Sequence, residues 1–347
     1  MSAALVTSQR WSPWVWKAVL VLAIGIGGLW TATHGVAGTS WGQVAIVLRG
    51  VTLVRLLALA AIWLGGLGIY SLVLSAALPG LGVRRSLLLN LSGSAVANVL
   101  PLGGAVATAL NWRMVRTWGH SDGSFVAFTL LTNALDVLTK LLLPLVAVAT
   151  LVTLSVHVPV VLWWMSASCA GVVLVAGAVR AVLRGIAPSG GRTGGSRAAR
   201  LLAWFEESTQ RIQGLLARQW HRLLPASVAY IAAQVALLYF ALQAVGLHVP
   251  LVLVLTAAAI ERLGTLVPIT PGGTGVAEIG TIAWLVAVGI DPVRAVAGVL
   301  LYRVFLIVME IPLGGLLLGG WAWAQRPSTR TAAAAEVAVP ESERVAA

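Results

Sequence analysis

The chain has 347 residues, 59% of them hydrophobic and only 10% charged, with a formal net charge of +12. A soluble domain carries about a quarter of its residues charged, so this balance describes a polytopic, all-α membrane protein. Its cations sit between apolar segments, where they orient a membrane protein and meet anionic headgroups, so they do not point to a nucleic-acid partner. The one cysteine, Cys169, lies in an apolar run, where it is expected to be a small buried residue, and belongs to no disulfide framework or metal motif.

In chain order, a short basic N-terminus with Arg10 and Lys17 leads into Val15–Thr33, expected to be a retained membrane helix. Val51–Leu78 is the second apolar segment and ends at "PGLGVRR". Ser86–Val115 follows, broken at "NVLPLGG", and then a long third segment, Ser124–Leu154. Val158–Leu183 is the fourth. The Gly/Arg-rich stretch "RGIAPSGGRTGGSRAAR" lacks phosphate-loop spacing and fits a cytoplasmic linker. An amphipathic helix up to residue 223 is expected to lie at the inner membrane surface. Leu224–Gly246 is the fifth segment, Leu251–Gly289 is broken at "VPITPGGTG", and Val293–Trp323 is the last before a polar tail, residues 324–347.

Each arm of the two broken regions is too short for the ~30 Å hydrocarbon core. Two short arms around a Pro/Gly turn predict re-entrant helical hairpins, spanning 86–115 and 251–289. Arg84 and Arg85 precede the first and Arg113 and Arg116 follow it, which places both its ends in the cytoplasm. The second lacks such clusters and is expected to enter from the outer face. About six full-length membrane helices then put both chain termini in the cytoplasm of a multi-pass cell-membrane protein. Arg49, Arg55 and Arg294 fit this map poorly, since they would lie near the outer interface.

The order of helix, broken hairpin and long helix occurs in 51–154 and again, inverted, in 224–323, flanked by residues 1–50 and 155–223. Inverted repeats with interrupted helices are a transporter pattern, because half-helix ends inside the bilayer are tolerable only around a cavity. The turn residues Pro101, Gly103 and Gly104, and Pro268, Pro271, Gly272, Gly273 and Gly275, are therefore candidate substrate contacts, with Asn98 and Asn111 beside the first turn. A charge at the centre of a membrane helix costs about 2.5–3.5 kcal/mol, so Asp136, Lys140, Glu261, Arg262, Glu278 and Arg303 join them. Asp136 and Lys140 are spaced to pair with each other. Glu310 follows Arg303 by two helical turns.

The residues "ERLGTLVPITPGGTGVAEIG", with Glu278 beyond the turn and "LYR" at 301–303, resemble the C-terminal part of the lysylphosphatidylglycerol synthase transmembrane region family of flippase-like membrane proteins. The stretches "NVLPLGGAVATALNWRMVRTWG" and "LDVLTKLLLP" resemble its first half, although "PLGGAVA" stands where many relatives carry an acid and an arginine. The resemblance implies movement of a polar-headed, phosphate-containing lipid between leaflets. It does not imply aminoacyl transfer, since only residues 324–347 remain for a soluble catalytic domain.

Anionic-headed lipids are the expected partners, with a homo-oligomer or a lipid-biosynthetic partner as further options. No cofactor, metal site or enzymatic activity is expected, because His34, His120, His157, His221 and His248 are scattered outside any HExxH or GxSxG motif. A secondary transporter of a small solute or ion, or a non-catalytic partner of an envelope biosynthetic enzyme, uses the same architecture.

Overall fold

The computed structural model describes residues 27, 30–100, 103–154, 167, 171, 197–266 and 274–325. Every regular element among them is helical. A π-helical turn, Thr31–Val36, is followed by α1 (Trp41–Arg49), α2 (Leu53–Ala77), α3 (Val83–Val99), α4 (Gly103–Thr117) and α5 (Asp122–Thr153). Then come α6 (Arg197–Ala244), α7 (Leu251–Gly264), α8 (Val276–Ala287), α9 (Pro292–Arg303), a second π-helical turn, Val304–Val308, and α10 (Glu310–Ala324). Four stretches, Leu53–Ala77, Asp122–Thr153, Thr209–Ala244 and Pro292–Ala324, are long and apolar enough to cross a membrane. The chain is a multi-pass helical membrane protein. Val158–Leu183, most of Val15–Thr33 and the tail from 326 lie outside the described residues.

Three local features differ from the sequence reading. The boundary expected between residues 223 and 224 is absent, since α6 runs unbroken for 48 residues with Pro225 inside it. Pro225 removes one backbone donor, and the packing of α6 along α2 holds the helix through that point. The last long segment is divided by the π turn directly after Arg303. The connector before α2 contains a helix of its own, α1, started by a capping box in which Ser40 accepts from the Gln43 N–H and Gln43 returns to Ser40.

The arms α3 and α4 lie side by side and antiparallel, with Arg85 at the start of one 5.6 Å from the Trp118 ring after the end of the other. In the same way the Trp284 indole near the end of α8 donates to the Leu253 carbonyl at the start of α7 at 3.2 Å. The open ends of the two hairpins point to opposite ends of the bundle. Leu78, Leu81, Met114, Val115 and Leu223 share one cluster, with Trp321 against it. The other end holds Leu247, Val249, Val254 and Ala295.

Arg55 and Arg294 sit at this second end for a local reason. Arg55 donates to the Ala244 carbonyl at 3.0 Å and Arg294 to that of Gly246 at 3.4 Å, so both close off the C-terminus of α6, where unpaired carbonyls and the helix dipole attract cations.

Packing between the halves is reciprocal. Helices α2 and α6 lie along each other, α3 packs on α10, and α7 packs on α5. At the α3–α10 contact a side chain on Gly314 would run into the Leu91 carbonyl and reach 2.7 Å from Ala95 Cβ, so glycine sets the approach. At the α5–α7 contact Val148 and Leu151 meet Val252 and Ile260. Helix α2 runs from the second end of the bundle to the first and α6 runs back. Helix α5 likewise opposes the unit formed by α9 and α10.

Candidate functional site

Two sites of opposite chemistry flank the α5–α7 contact. The first is ionic. Glu261 and Arg262 stand in the last turn of α7, Glu278 in the first turn of α8, and Arg303 at the end of α9 just before the π turn. Arg303 Nε donates to Glu278 Oε1 at 2.7 Å and Nη1 to Glu261 Oε1 at 2.9 Å, so one guanidinium fork ties both arms of the hairpin to α9. Tyr302 reaches the other oxygen of Glu261 at 3.5 Å.

The remaining oxygen of Glu278 accepts the Gly275 N–H at 2.6 Å. Gly275 has φ of 95°, a left-handed conformation that glycine adopts without strain, and this aims its N–H back at the carboxylate. Glu278, Glu261 and Arg303 are 1%, 3% and 7% exposed, so little water reaches them. Two carboxylates against Arg303 leave one negative charge, which Arg262 offsets with its Nε 3.9 Å from Glu261. The cluster is electrically closed, and Glu261, Glu278 and Arg303 line neither of the cavities described below.

Arg262 turns the other way and links the cluster to the second site. Its guanidinium carbon lies 5.9 Å from the centre of the Tyr230 ring, and its Nη2 is buried without a hydrogen-bond partner among the described residues. It borders a small void with Tyr70, Thr132, Asp136, Thr139 and Ser227. The Tyr70 and Tyr230 rings pack against each other at 4.6 Å between centroids. Asp136 is held by Lys140 at 2.7 Å, the pairing expected from their spacing. Tyr70 and Thr132 also line the next cavity, of about 300 Å³, a half-open cleft between α2, α3, α4 and α5. Its lining is uncharged and half apolar, with Asn90, Ser94, Thr108, Asn111, Thr129 and Asn133 among its polar residues.

The candidate residues thus separate. Glu261, Glu278, Arg303 and Gly275 form the ionic cluster, while Arg262 and Asp136 border the void and Asn111 the cavity. Gly103 packs against the Ala97 carbonyl at the start of α4. The Gly104 carbonyl accepts from Thr108 at 2.8 Å, and Asn98 is half-buried near the end of α3. Pro101, Pro268, Pro271, Gly272 and Gly273 lie outside the described residues, and with them the expectation that the two turns meet. Glu310, two turns beyond Arg303, faces Ser94 and Trp63 instead of the ionic cluster.

Apart from Asn111, the tyrosines and the neutral lining escaped the sequence reading. A signal for part of it exists: Thr129, Thr132, Asn133, Asp136 and Lys140 form one polar stripe at helical spacing along the otherwise apolar α5.

Similarity to known proteins agrees with this geometry. No curated protein matches the chain. The family model for the lysylphosphatidylglycerol synthase TM region matches residues 18–314, which include both hairpins, the ionic cluster and the neutral cavity. With that match extending over most of its length, the chain belongs to the lysylphosphatidylglycerol synthase transmembrane region family.

Proposed function

We propose that this protein moves a phosphate-bearing lipid between the leaflets of the cell membrane, without chemical change to the lipid, and that Arg262 receives the phosphate. In this reading the two hairpins are re-entrant elements of an inverted repeat, entering from opposite faces. The observation that carries it is the buried, unpartnered Nη2 of Arg262 at a void of about 20 Å³ that shares Tyr70 and Thr132 with the larger cavity. A guanidinium N–H left unpaired away from water is costly, and a phosphate oxygen satisfies it with a charge-assisted bond.

The Arg303 fork serves this site indirectly. By fixing Glu261 it fixes the last turn of α7, and so the direction in which Arg262 points. The neutral cavity beyond Tyr70 gives the rest of the headgroup a polar surface while the tails stay in hydrocarbon.

Flipping of acyl-labelled phospholipid in reconstituted vesicles, read by dithionite quenching of the outer leaflet, tests the proposal. Wild type accelerates exchange over protein-free vesicles. Arg262→Gln slows it by about tenfold or more, equivalent to at least ~1.4 kcal/mol. Arg262→Lys falls between, since an ammonium keeps the charge but loses the fork. Wild-type vesicles that exchange no faster than empty ones overturn the proposal.

A further inference from the structure

The cavity between α2, α3, α4 and α5 differs from an anion site in its chemistry. Its polar side chains come from single faces: Asn90 and Ser94 from α3, Thr108 and Asn111 from α4, and Thr129 and Asn133 from α5. All are amides or hydroxyls, groups that donate or accept as needed. Asn111 Oδ1 and Thr129 Oγ1 are buried and have no hydrogen-bond partner among the described residues. Phe125 and Phe128 add apolar ring surface to the same walls.

We infer that this cavity seats a neutral, polyhydroxylated headgroup, such as a sugar, inositol or glycerol, attached to the phosphate held by Arg262. The inference rests on the lipid-transport reading above and adds the substrate class. A ring hydroxyl is both donor and acceptor, so it satisfies the orphan oxygens of Asn111 and Thr129 and pairs with the surrounding amides. The C–H faces of such a ring pack on the phenylalanines. An ammonium headgroup fits less well, because it only donates and the lining supplies no carboxylate. The nearest acids stand outside: Asp136 is engaged by Lys140, and Glu310 lies beyond Ser94 beside Trp63. At about 300 Å³ the cavity is at the lower end of small-ligand sites, a size that suits one ring. Gly93 preserves its shape, since a Cβ there would lie 2.9 Å from Asn111 Nδ2.

The test compares phosphatidylinositol with phosphatidylethanolamine, matched in acyl chains and label, in vesicles holding the full chain. Wild type exchanges phosphatidylinositol faster by about tenfold or more. Asn111→Leu and the near-isosteric Thr129→Val each remove most of that preference, lowering phosphatidylinositol exchange more than phosphatidylethanolamine exchange. Thr129→Val covers the case in which the larger change disturbs folding.

Equal exchange of both lipids by wild type overturns the headgroup assignment while lipid transport stands. If neither lipid is exchanged, retention in native mass spectrometry decides. Selective retention of phosphatidylinositol, lost in Thr129→Val, upholds the seat although transport has failed. Equal retention of the two lipids removes the seat as well.

Discussion

The two hairpins share one architecture and hold opposite chemistry. Around the second, every charge has met its counter-charge inside the protein: Arg303 spans Glu261 and Glu278, and Gly275 caps the remaining oxygen. Around the first, charges stay at the rim and the interior is lined by neutral groups, two of them with unpaired oxygens. A fully paired buried cluster fixes geometry. An underpaired neutral cavity keeps hydrogen-bonding capacity for something else. Side by side they teach that depth of burial does not mark a substrate site, since the most buried charges here are the ones already satisfied.

The sharpest way to break the comparison is to remove the shared cation. Arg303→Met leaves Glu261 and Glu278 buried without their main partner, a loss of about 3–5 kcal/mol for stranding a buried charge. Thermal unfolding of the purified protein in detergent checks it, with a strong fall in midpoint or loss of monodisperse protein expected. Arg303→Lys recovers part of the loss, because an ammonium reaches one carboxylate but does not reproduce the fork. An Arg303→Met protein as stable as wild type would show that the cluster is not a staple.

Next in size is the contact that carries the first hairpin. Gly314→Ala places a methyl group against the Leu91 carbonyl and Ala95, and α10 must move away from α3. Overpacking of this kind costs about 1–3 kcal/mol, read by the same unfolding measurement. The α5–α7 contact, which joins the second hairpin to α5, is made by branched aliphatic side chains and tolerates small changes better. Disruption of the hairpin on α10 also deforms the cavity, so under the proposed function flipping falls with stability in this variant.

The legibility of the sequence follows the energetic cost of each feature. Pro and Gly in the middle of apolar runs, and charges among them, are expensive in a membrane, so the two hairpin regions and Glu261, Glu278 and Arg303 stand out unaided. That these three meet on one fork was not legible, because Arg303 lies 25 and 42 positions from its partners and only the fold joins them. The neutral cavity was hidden for the opposite reason. Threonine and asparagine in a helix cost little and bond their own backbone, as Thr132 does to the Phe128 carbonyl at 2.9 Å, so their common direction appears only when the neighbouring helices are placed. The boundary at 223/224 followed the change from mixed-charge to apolar residues, which α6 crosses without a break. The π turn at 304–308 has no Pro or Gly to announce it.

A smaller effect, of opposite sign, sharpens the contrast. Thr129→Val removes a buried hydroxyl that has no partner among the described residues. The protein loses an unsatisfied group, so its stability is unchanged or rises by up to ~1 kcal/mol. A group kept for binding, at a cost to the empty protein, behaves in this way. A marked fall in unfolding midpoint would instead make Thr129 part of the structural core.

The smallest effect belongs to the rim of the first hairpin. Asp122 accepts from the Trp112 indole at 2.9 Å and lies 3.5 Å from Arg116, with the ion-pair side chains 62% and 55% exposed. Asp122→Asn keeps an acceptor for Trp112 and gives up only a solvated ion pair and a favourable charge at the start of α5, together below about 1 kcal/mol. The difference from wild type should shrink further in ~1 M salt, where the screening length is only about 3 Å. Arg303→Met in the same buffer should keep its full deficit, because the carboxylates it strands are shielded from the ions that screen the rim. If both variants respond alike to salt, the distinction between a solvated rim and a closed ionic cluster fails, and with it the reason for seating the headgroup at the neutral hairpin.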